Sequence, residues 1–177
     1  MCKRTETYDP GNPDIGNVGA ICISMDTITY RLIPVEEIAI IRPLWEELNA
    51  EALARSRHFR EFYGMRTFSG RQAALVAKAA AGEMRIGIAE SGDPAETIGY
   101  CIATVSSDNT GEIDSILVRK DHRGIGIGSQ LLADAIGWLE TLHGYPVIVS
   151  VSEGNTEAEN FYKKFGFARR MVVLQKV

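Results

Sequence analysis

Residues 112–132 read EIDSILVRKDHRGIGIGSQLL, and the pattern within them changes twice. The first seven residues alternate, with Ile113, Ser115 and Leu117 on one side and Glu112, Asp114, Ile116 and Val118 on the other. That period of two predicts a strand. Further on, Leu131, Leu132, Ala135, Ile136, Leu139 and Leu142 recur at helical spacing and predict an amphipathic helix. Between the two lies Arg123-Gly124-Ile125-Gly126-Ile127-Gly128-Ser129, with glycine at alternate positions. Glycine leaves no Cβ to hold a ligand off the backbone. The free N–H groups at a helix start, together with the helix dipole, then favour a diphosphate at this junction.

The glycine spacing narrows the choice of diphosphate. A dinucleotide fingerprint needs glycines at positions one, three and six. Counted from Gly124 the sixth position is Ser129, and from Gly126 it is Leu131, so that pattern fails. A phosphate-binding P-loop needs a lysine directly after its last glycine, and here Ser129 and Gln130 follow.

Composition sets the outer bounds. A chain of 177 residues is long enough for one domain with a sizeable core. The formal net charge of −4 argues against non-specific nucleic-acid binding. Cys2, Cys22 and Cys101 are odd in number and far apart, no C-x-x-C occurs, and His58, His122 and His143 lack ligand spacing. The expectation is no metal site and a reducing, cytoplasmic setting. No apolar run is long enough to span a membrane, and the N-terminus lacks the basic and apolar pattern of a signal peptide.

Taken in order, residues 1–24 collect turn chemistry such as Asp9-Pro10-Gly11-Asn12-Pro13 and little to bury. They are expected to be a flexible, dispensable extension ahead of a single domain over 25–177. A strand is predicted over 27–33. Ile38, Ile41, Leu44, Trp45 and Leu48 follow at helical spacing, with Pro43 either kinking that helix or opening a second one. Residues 55–68 have no clear period but gather Phe59, Phe62, Tyr63 and Phe68 among Arg57, Arg60 and Arg66. Ser69, with Gln72 three residues on, predicts a helix N-cap, and Gly82 its end. Strands are predicted over 84–90 and 97–105. The apolar run 147–151 predicts a buried parallel strand, residues 156–165 a helix, and 167–177 a last strand.

A second motif lies downstream: Asn155-x-x-Ala158-x-x-Phe161-Tyr162-x-x-Phe165-Gly166-Phe167. It resembles the N-x-x-A-x-x-F-Y-x-x-x-G-F signature of the GNAT N-acetyltransferases. The segment from Arg123 to Gly128 resembles that family's R-x-x-G-x-G loop. The likeness covers roughly residues 27–177. It implies an α+β fold whose central, mostly antiparallel sheet has one parallel pair and about four flanking helices. It also implies an acyltransferase that uses acetyl-CoA as co-substrate. The pyrophosphate would rest on Arg123, Gly124, Ile125, Gly126, Ile127, Gly128 and Ser129, with Arg123 packing or pairing around the loop. Backbone groups near Leu117 and Val118 would pair with pantetheine and hold the acyl carbonyl. Asn155 would position the pantetheine arm, cap its helix, or do both. Tyr162 would protonate the departing thiolate.

Glu112 falls where some members place a catalytic glutamate, and Asp114 where others carry an acid. Either would take the acceptor's proton. The implied acceptor is a small-molecule, peptide or protein amine, with neither nucleic acid nor membrane as partner. Trp45, Glu46, His58, Phe62, Tyr63 and Arg66 are expected along one wall of its pocket. Arg57, Arg60 and Arg66 would meet either an acceptor carboxylate or solvent. One departure stands out. The family often ends in a two-strand hairpin, and the residues after Gly166 suffice for only one strand and a turn. The sheet is then short by a strand or completed by a second subunit, which makes a homodimer an expectation. The rival readings are an inactive acyl-CoA sensor and a nucleotide-phosphate binder.

Overall fold

The structure, a computed structural model, describes residues 27–142 and 146–176. The expected extension over 1–24 lies outside the described residues. Five strands form one sheet in the order β1 (Thr29–Ile33), β2 (Glu83–Ser91), β3 (Glu96–Val105), β4 (Gly111–Val118) and β5 (Val147–Val149). Neighbours are antiparallel except β4 and β5, which are parallel.

The sheet is covered on both faces, so β3 is buried along nearly its whole length. On one face Cys101, Ala103, Ile113 and Val118 pack against Ile127, Leu131, Leu132 and Leu139 of α4 (Ile127–Thr141) and Tyr162 of α5 (Thr156–Lys163). On the other, Ile86, Ile88, Tyr100, Ile102 and Leu117 meet Ile38, Ile41, Leu44, Trp45, Phe68 and Leu75. Fully burying one such aliphatic side chain contributes roughly 1.5–3 kcal/mol, so these two layers hold the sheet in place. No described helix is long and apolar enough to cross a membrane.

Pro43 marks a second helix rather than a kink. Residues Val35–Ile41 form a 3-10 turn, and α1 (Arg42–Arg55) starts with Pro43 in its first turn, where a missing N–H costs nothing. The stretch without a clear period contains a short helix, α2 (Arg60–Met65), none of whose residues is buried. With α3 (Phe68–Ala81) there are five α-helices among the described residues, in line with the expected number of about four. The N-cap of α3 is Thr67, not Ser69: Thr67 Oγ1 accepts from Gly70 N–H at 3.2 Å. Phe68 is buried in the core as the first helical residue, which fixes the cap one position before it.

Two larger differences follow from geometry that sequence period does not encode. First, Ile113 pairs with Ala103 but Ser115 pairs with Ile102, so Asp114 is the extra residue of a β-bulge. The strict alternation expected for β4 therefore breaks. Ile113, Ile116 and Val118 pack on the α4 face, while Leu117 packs on the opposite face. Second, β5 has three residues instead of five and is only partly buried, with Ile148 38% exposed. No strand forms over 167–176, and Met171, Val172, Val173 and Leu174 lie exposed. For the missing last strand the reason is the edge itself: β5 offers only three residues to pair with.

Candidate active site

The site begins where β4 and β5 part. Gly111, Glu112 and Ile113 pair with Val147, Ile148 and Val149, and there β5 ends. From Asp114 to Val118, β4 has no neighbour on that side. Its other side decides which groups face the gap. Arg119 N–H donates to Ile98 O at 2.9 Å, and the register pairs Leu117 with Tyr100 and Ser115 with Ile102. Hydrogen-bonded pairs alternate along an antiparallel ladder. Ser115 and Leu117 thus turn their main-chain groups toward β3, and Ile116 and Val118 turn theirs to the gap. Val118 C=O is taken by Arg123 Nε at 2.7 Å. Both polar groups of Ile116 and the N–H of Val118 are left for a guest, an edge able to accept an extended chain of amides as an added strand.

At the end of β4 the chain turns through residues Lys120–His122 into the glycine loop. Gly124 and Gly126 have φ of 84° and 96°. A Cβ at either would meet nothing within 4 Å, so the turn needs glycine for its left-handed backbone rather than for space. Gly126 is the N-cap of α4, and the first helical bond runs from Gln130 N–H to Gly126 O at 3.0 Å. The N–H groups of Ile127, Gly128 and Ser129 have no partner inside the helix. They stand at its positive end, which suits an anion.

Arg123 braces this loop. Besides Val118 O it donates through Nη2 to Glu51 Oε1 of α1 at 2.9 Å, and Glu51 also accepts from Arg55 at 2.9 Å. Burial works against the Glu51 charge, but the Arg123 and Arg55 donors outweigh it and hold the carboxyl below its usual range. Arg123 is therefore anchored through Glu51, a carboxylate it shares with Arg55 and Lys120, and main-chain N–H groups supply the loop's hydrogen bonds for an anion.

A cleft of about 780 Å³ runs from the loop along the open edge of β4, with α1 on one side and the β5–α5 segment on the other. The expected catalytic and cofactor residues line it except Glu112 and Ile125, and of the expected acceptor wall Trp45 and Arg66 line it while Glu46, His58, Phe62 and Tyr63 do not. Asn155 caps α5, its Oδ1 accepting from Ala158 N–H at 3.1 Å. Tyr162 is 6% exposed and packs its ring against Phe161 and Phe167. Its hydroxyl makes no side-chain hydrogen bond among the described residues, and burial raises its pKa, so it is a neutral phenol facing the cleft.

The two acids of β4 are separated by the bulge. Glu112 pairs with Lys78 of α3 and does not reach the cleft. Asp114 lines the cleft with its side chain 6% exposed, bound by Arg71 and by Lys78 Nζ at 2.8 Å. Burial disfavours the Lys78 charge, yet hydrogen bonds to Asp114 and Glu112 more than compensate and raise its pKa. Arg71 and Lys78 were not anticipated from the sequence. They stand seven residues apart on one helix face, which was legible, but the acids they meet are 43 and 34 residues away. Cys101 is buried and its thiol is pushed up to about 12, chiefly by burial. It does not line the cleft. Among the described residues no three His, Cys, Asp or Glu side chains gather as a metal site.

A strand edge open to amides, a helix start open to a diphosphate and a phenol in one cleft are the arrangement implied by the two sequence motifs. The model of the acetyltransferase (GNAT) family matches residues 44–167. The chain belongs to this family. This acetyltransferase also has close matches in fold. A Pyrococcus furiosus protein assigned as an acetyl transferase is 24% identical, with 85% of this chain and 99% of that one covered and a TM-score of 0.64. The aminoglycoside N-acetyltransferase AAC(6')-Iy, in complex with CoA, is 16% identical over 85% of this chain and 95% of that one, with a TM-score of 0.63. The BH1408 protein of Bacillus halodurans, as a tetramutant, is 14% identical over 84% and 99%, with a TM-score of 0.63. No curated protein gives a significant match. The acetyltransferase thus has the GNAT fold: a mixed five-stranded sheet with one parallel pair and helices on both faces.

Proposed function

We propose that the protein moves an acetyl group from acetyl-CoA to a primary amine by direct transfer in a ternary complex. The observation that carries this reading is the single cleft joining the α4 start, the free edge of β4 and the Tyr162 hydroxyl. Acetyl-CoA supplies the acyl group as an activated thioester. The N–H groups of Ile127, Gly128 and Ser129 fit its pyrophosphate. Ile116 and Val118 pair with its pantetheine amides, and Asn155, already a helix cap, adds its free amide nitrogen. Ile116 N–H, which faces the gap and lies farther from the loop than Val118, is the donor aimed at the acyl oxygen; Leu117 N–H turns toward β3. The amine nitrogen bonds to the acyl carbon as the C–S bond breaks. The amine's proton leaves to Asp114, directly or through water, and Tyr162 gives its phenolic proton to the thiolate. Glu112 shares the Lys78 ammonium with Asp114. The buried, protonated Cys101 supports transfer without an acyl-enzyme.

Magnitudes rank these roles. An alkyl amine with a pKa near ~10.4 costs roughly 4–5 kcal/mol to deprotonate at neutral pH. A positioned base contributes ~10²–10⁴-fold. Holding amine and thioester in attack geometry contributes ~7–11 kcal/mol. Positioning therefore dominates.

The test is acetyl-CoA binding by calorimetry, followed by CoA release over a panel of amino acids, peptides, polyamines and aminoglycosides. The last group enters because AAC(6')-Iy is an aminoglycoside N-acetyltransferase. Binding and turnover are expected. Binding without CoA release on any amine would instead indicate an acyl-CoA sensor.

The same reading takes residues 25–177 as the working domain, so a chain begun at Met25 should fold and bind acetyl-CoA. Cys101, the cysteine among the described residues, is free, which supports a cytoplasmic enzyme. The exposed segment from Met171 to Leu174 and the free outer edge of β5 support a homodimer in which a second copy completes the sheet. A strict monomer by light scattering would remove that element alone.

A further inference from the structure

The acceptor end of the cleft holds more positive charge than it can neutralise. Arg66 follows α2, and its guanidinium lies 5.4 Å from the Trp45 ring centre, 5.8 Å from Phe62 and 5.9 Å from Tyr63. It makes no ion pair with any described residue. Burial, and then the nearby Arg71, push its pKa down. Arg71 spends Nη2 on Asp114 and Ser115, but its Nε is buried without a partner. Asn49 is the mirror case: Nδ2 donates to Tyr63 O at 2.9 Å, and Oδ1 is buried with no donor. Arg66, Arg71 and Asn49 all line the cleft.

The local balance is three cations, Arg66, Arg71 and Lys78, against two carboxylates, Asp114 and Glu112. One positive charge is left over in a chain whose net charge is −4. Arg66, partly buried and within the field of Arg71, has neither full hydration nor a carboxylate partner among the described residues, an arrangement that a bound anion relieves.

We propose that the acceptor is a small amine that also carries a carboxylate, as an α-amino acid does. Arg66 and the free Nε of Arg71 receive the carboxylate, and Asn49 Oδ1 accepts an N–H from the same molecule. The planar fork of arginine matches a carboxylate with two parallel hydrogen bonds. The aromatic cage holds Arg66 in place, so little side-chain freedom is lost when the ligand arrives. The cofactor's pyrophosphate is not the anion in question. Arg71 grips Asp114 and Ser115, and the glycine loop begins beyond Val118, roughly 10 Å or more along the strand. This inference rests on the acetyltransferase reading above and names its substrate class.

The experiment compares the common L-amino acids with their carboxamides as acceptors, beside spermidine as a cationic amine. At least one amino acid should be acetylated with kcat/KM about 100-fold above its carboxamide, since a site with unpaired donors rejects an analogue that cannot satisfy them. Arg66→Ala should raise KM for that amino acid at least about 10-fold, with kcat and the KM of acetyl-CoA little changed. Arg66→Lys should restore part of the loss. Calorimetric titration of the amino acid into the CoA complex should weaken in parallel. Equal use of acid and carboxamide, preference for spermidine, or an Arg66→Ala effect on acetyl-CoA instead of the amine would each overturn the assignment. Acetyl-CoA binding by the wild-type chain separates the two levels. If it is present while amino acids are not preferred, only the substrate class falls. If it is absent, the parent reading falls as well.

Discussion

At its loop end the cleft is made of main-chain groups, and at its acceptor end of charged side chains. The first set is fixed by a few backbone angles: Gly124 and Gly126 in the left-handed region, a helix start at Ile127, and a strand left open because β5 stops at Val149. The second is Arg66, just after α2, beside the ion-pair network of Arg71, Lys78, Asp114 and Glu112 from α3 and β4, of which Arg71 and Asp114 line the cleft. Main-chain recognition tolerates change in any side chain that leaves the backbone alone. Side-chain recognition is lost or redirected by single substitutions. Cofactor binding should therefore respond to few positions and strongly, and acceptor chemistry to many and by smaller steps.

The largest effect is expected for Gly126→Asp. The left-handed backbone costs a residue with a Cβ about 1–2 kcal/mol, and a carboxylate beside the bound pyrophosphate adds like-charge repulsion of several kcal/mol. Acetyl-CoA binding should disappear by calorimetry while circular dichroism stays that of the wild type, because a Cβ there meets nothing within 4 Å. Retained binding would mean that the loop end is not the cofactor end, and the contrast would break.

This contrast also explains what the sequence made legible. Glycine spacing, the Asn155 cap and the Phe161–Tyr162 pair are local patterns, and the local structure they implied is present. The fold followed from the order of elements. The bulge at Asp114 did not, because it depends on how β3 registers against β4, and a period of two carries no mark of it. The partners of the acids were hidden for the same reason: Lys78 and Arg71 find β4 only once α3 lies across the sheet. The last expected strand failed because strand propensity in Met171-Val172-Val173-Leu174 cannot supply the edge it needs.

Next in size is the pair Asp114→Asn and Glu112→Gln. Asp114, the bulge residue, lines the cleft and Glu112 does not, although Lys78 binds both. Asp114→Asn should lower turnover about 100-fold or more, the range of a lost proton acceptor. Glu112→Gln should lower it less than about 10-fold. A larger effect at Glu112 would make Glu112, not Asp114, the proton acceptor. Tyr162→Phe should come close behind Asp114→Asn in turnover, at about 100-fold. Its unfolding midpoint in urea should stay near the wild-type value, since the ring packing with Phe161 and Phe167 survives and the hydroxyl has no protein partner to lose. A large drop in stability would make Tyr162 a packing residue and nothing more.

The smallest effect tests the one place where the loop end leans on a side chain. Glu51 ties Arg123 and Arg55 together, and its folded-state pKa lies below that of an unfolded glutamate. The folded chain then binds fewer protons than the unfolded chain in the acid range. That contribution is present above about pH 4.5 and fades as pH falls through the folded pKa. Partly exposed arginine partners keep it to roughly 1 kcal/mol. Glu51→Gln should remove part of the acid-side slope in urea midpoints measured between about pH 3 and 6, with the two proteins converging at the lowest pH. It should weaken acetyl-CoA binding only a few-fold, because the N–H groups of Ile127, Gly128 and Ser129 remain in place without the brace. A loss as deep as that of Gly126→Asp would instead make Arg123 the principal cofactor contact, and the loop end would then depend on a side chain as much as the acceptor end does.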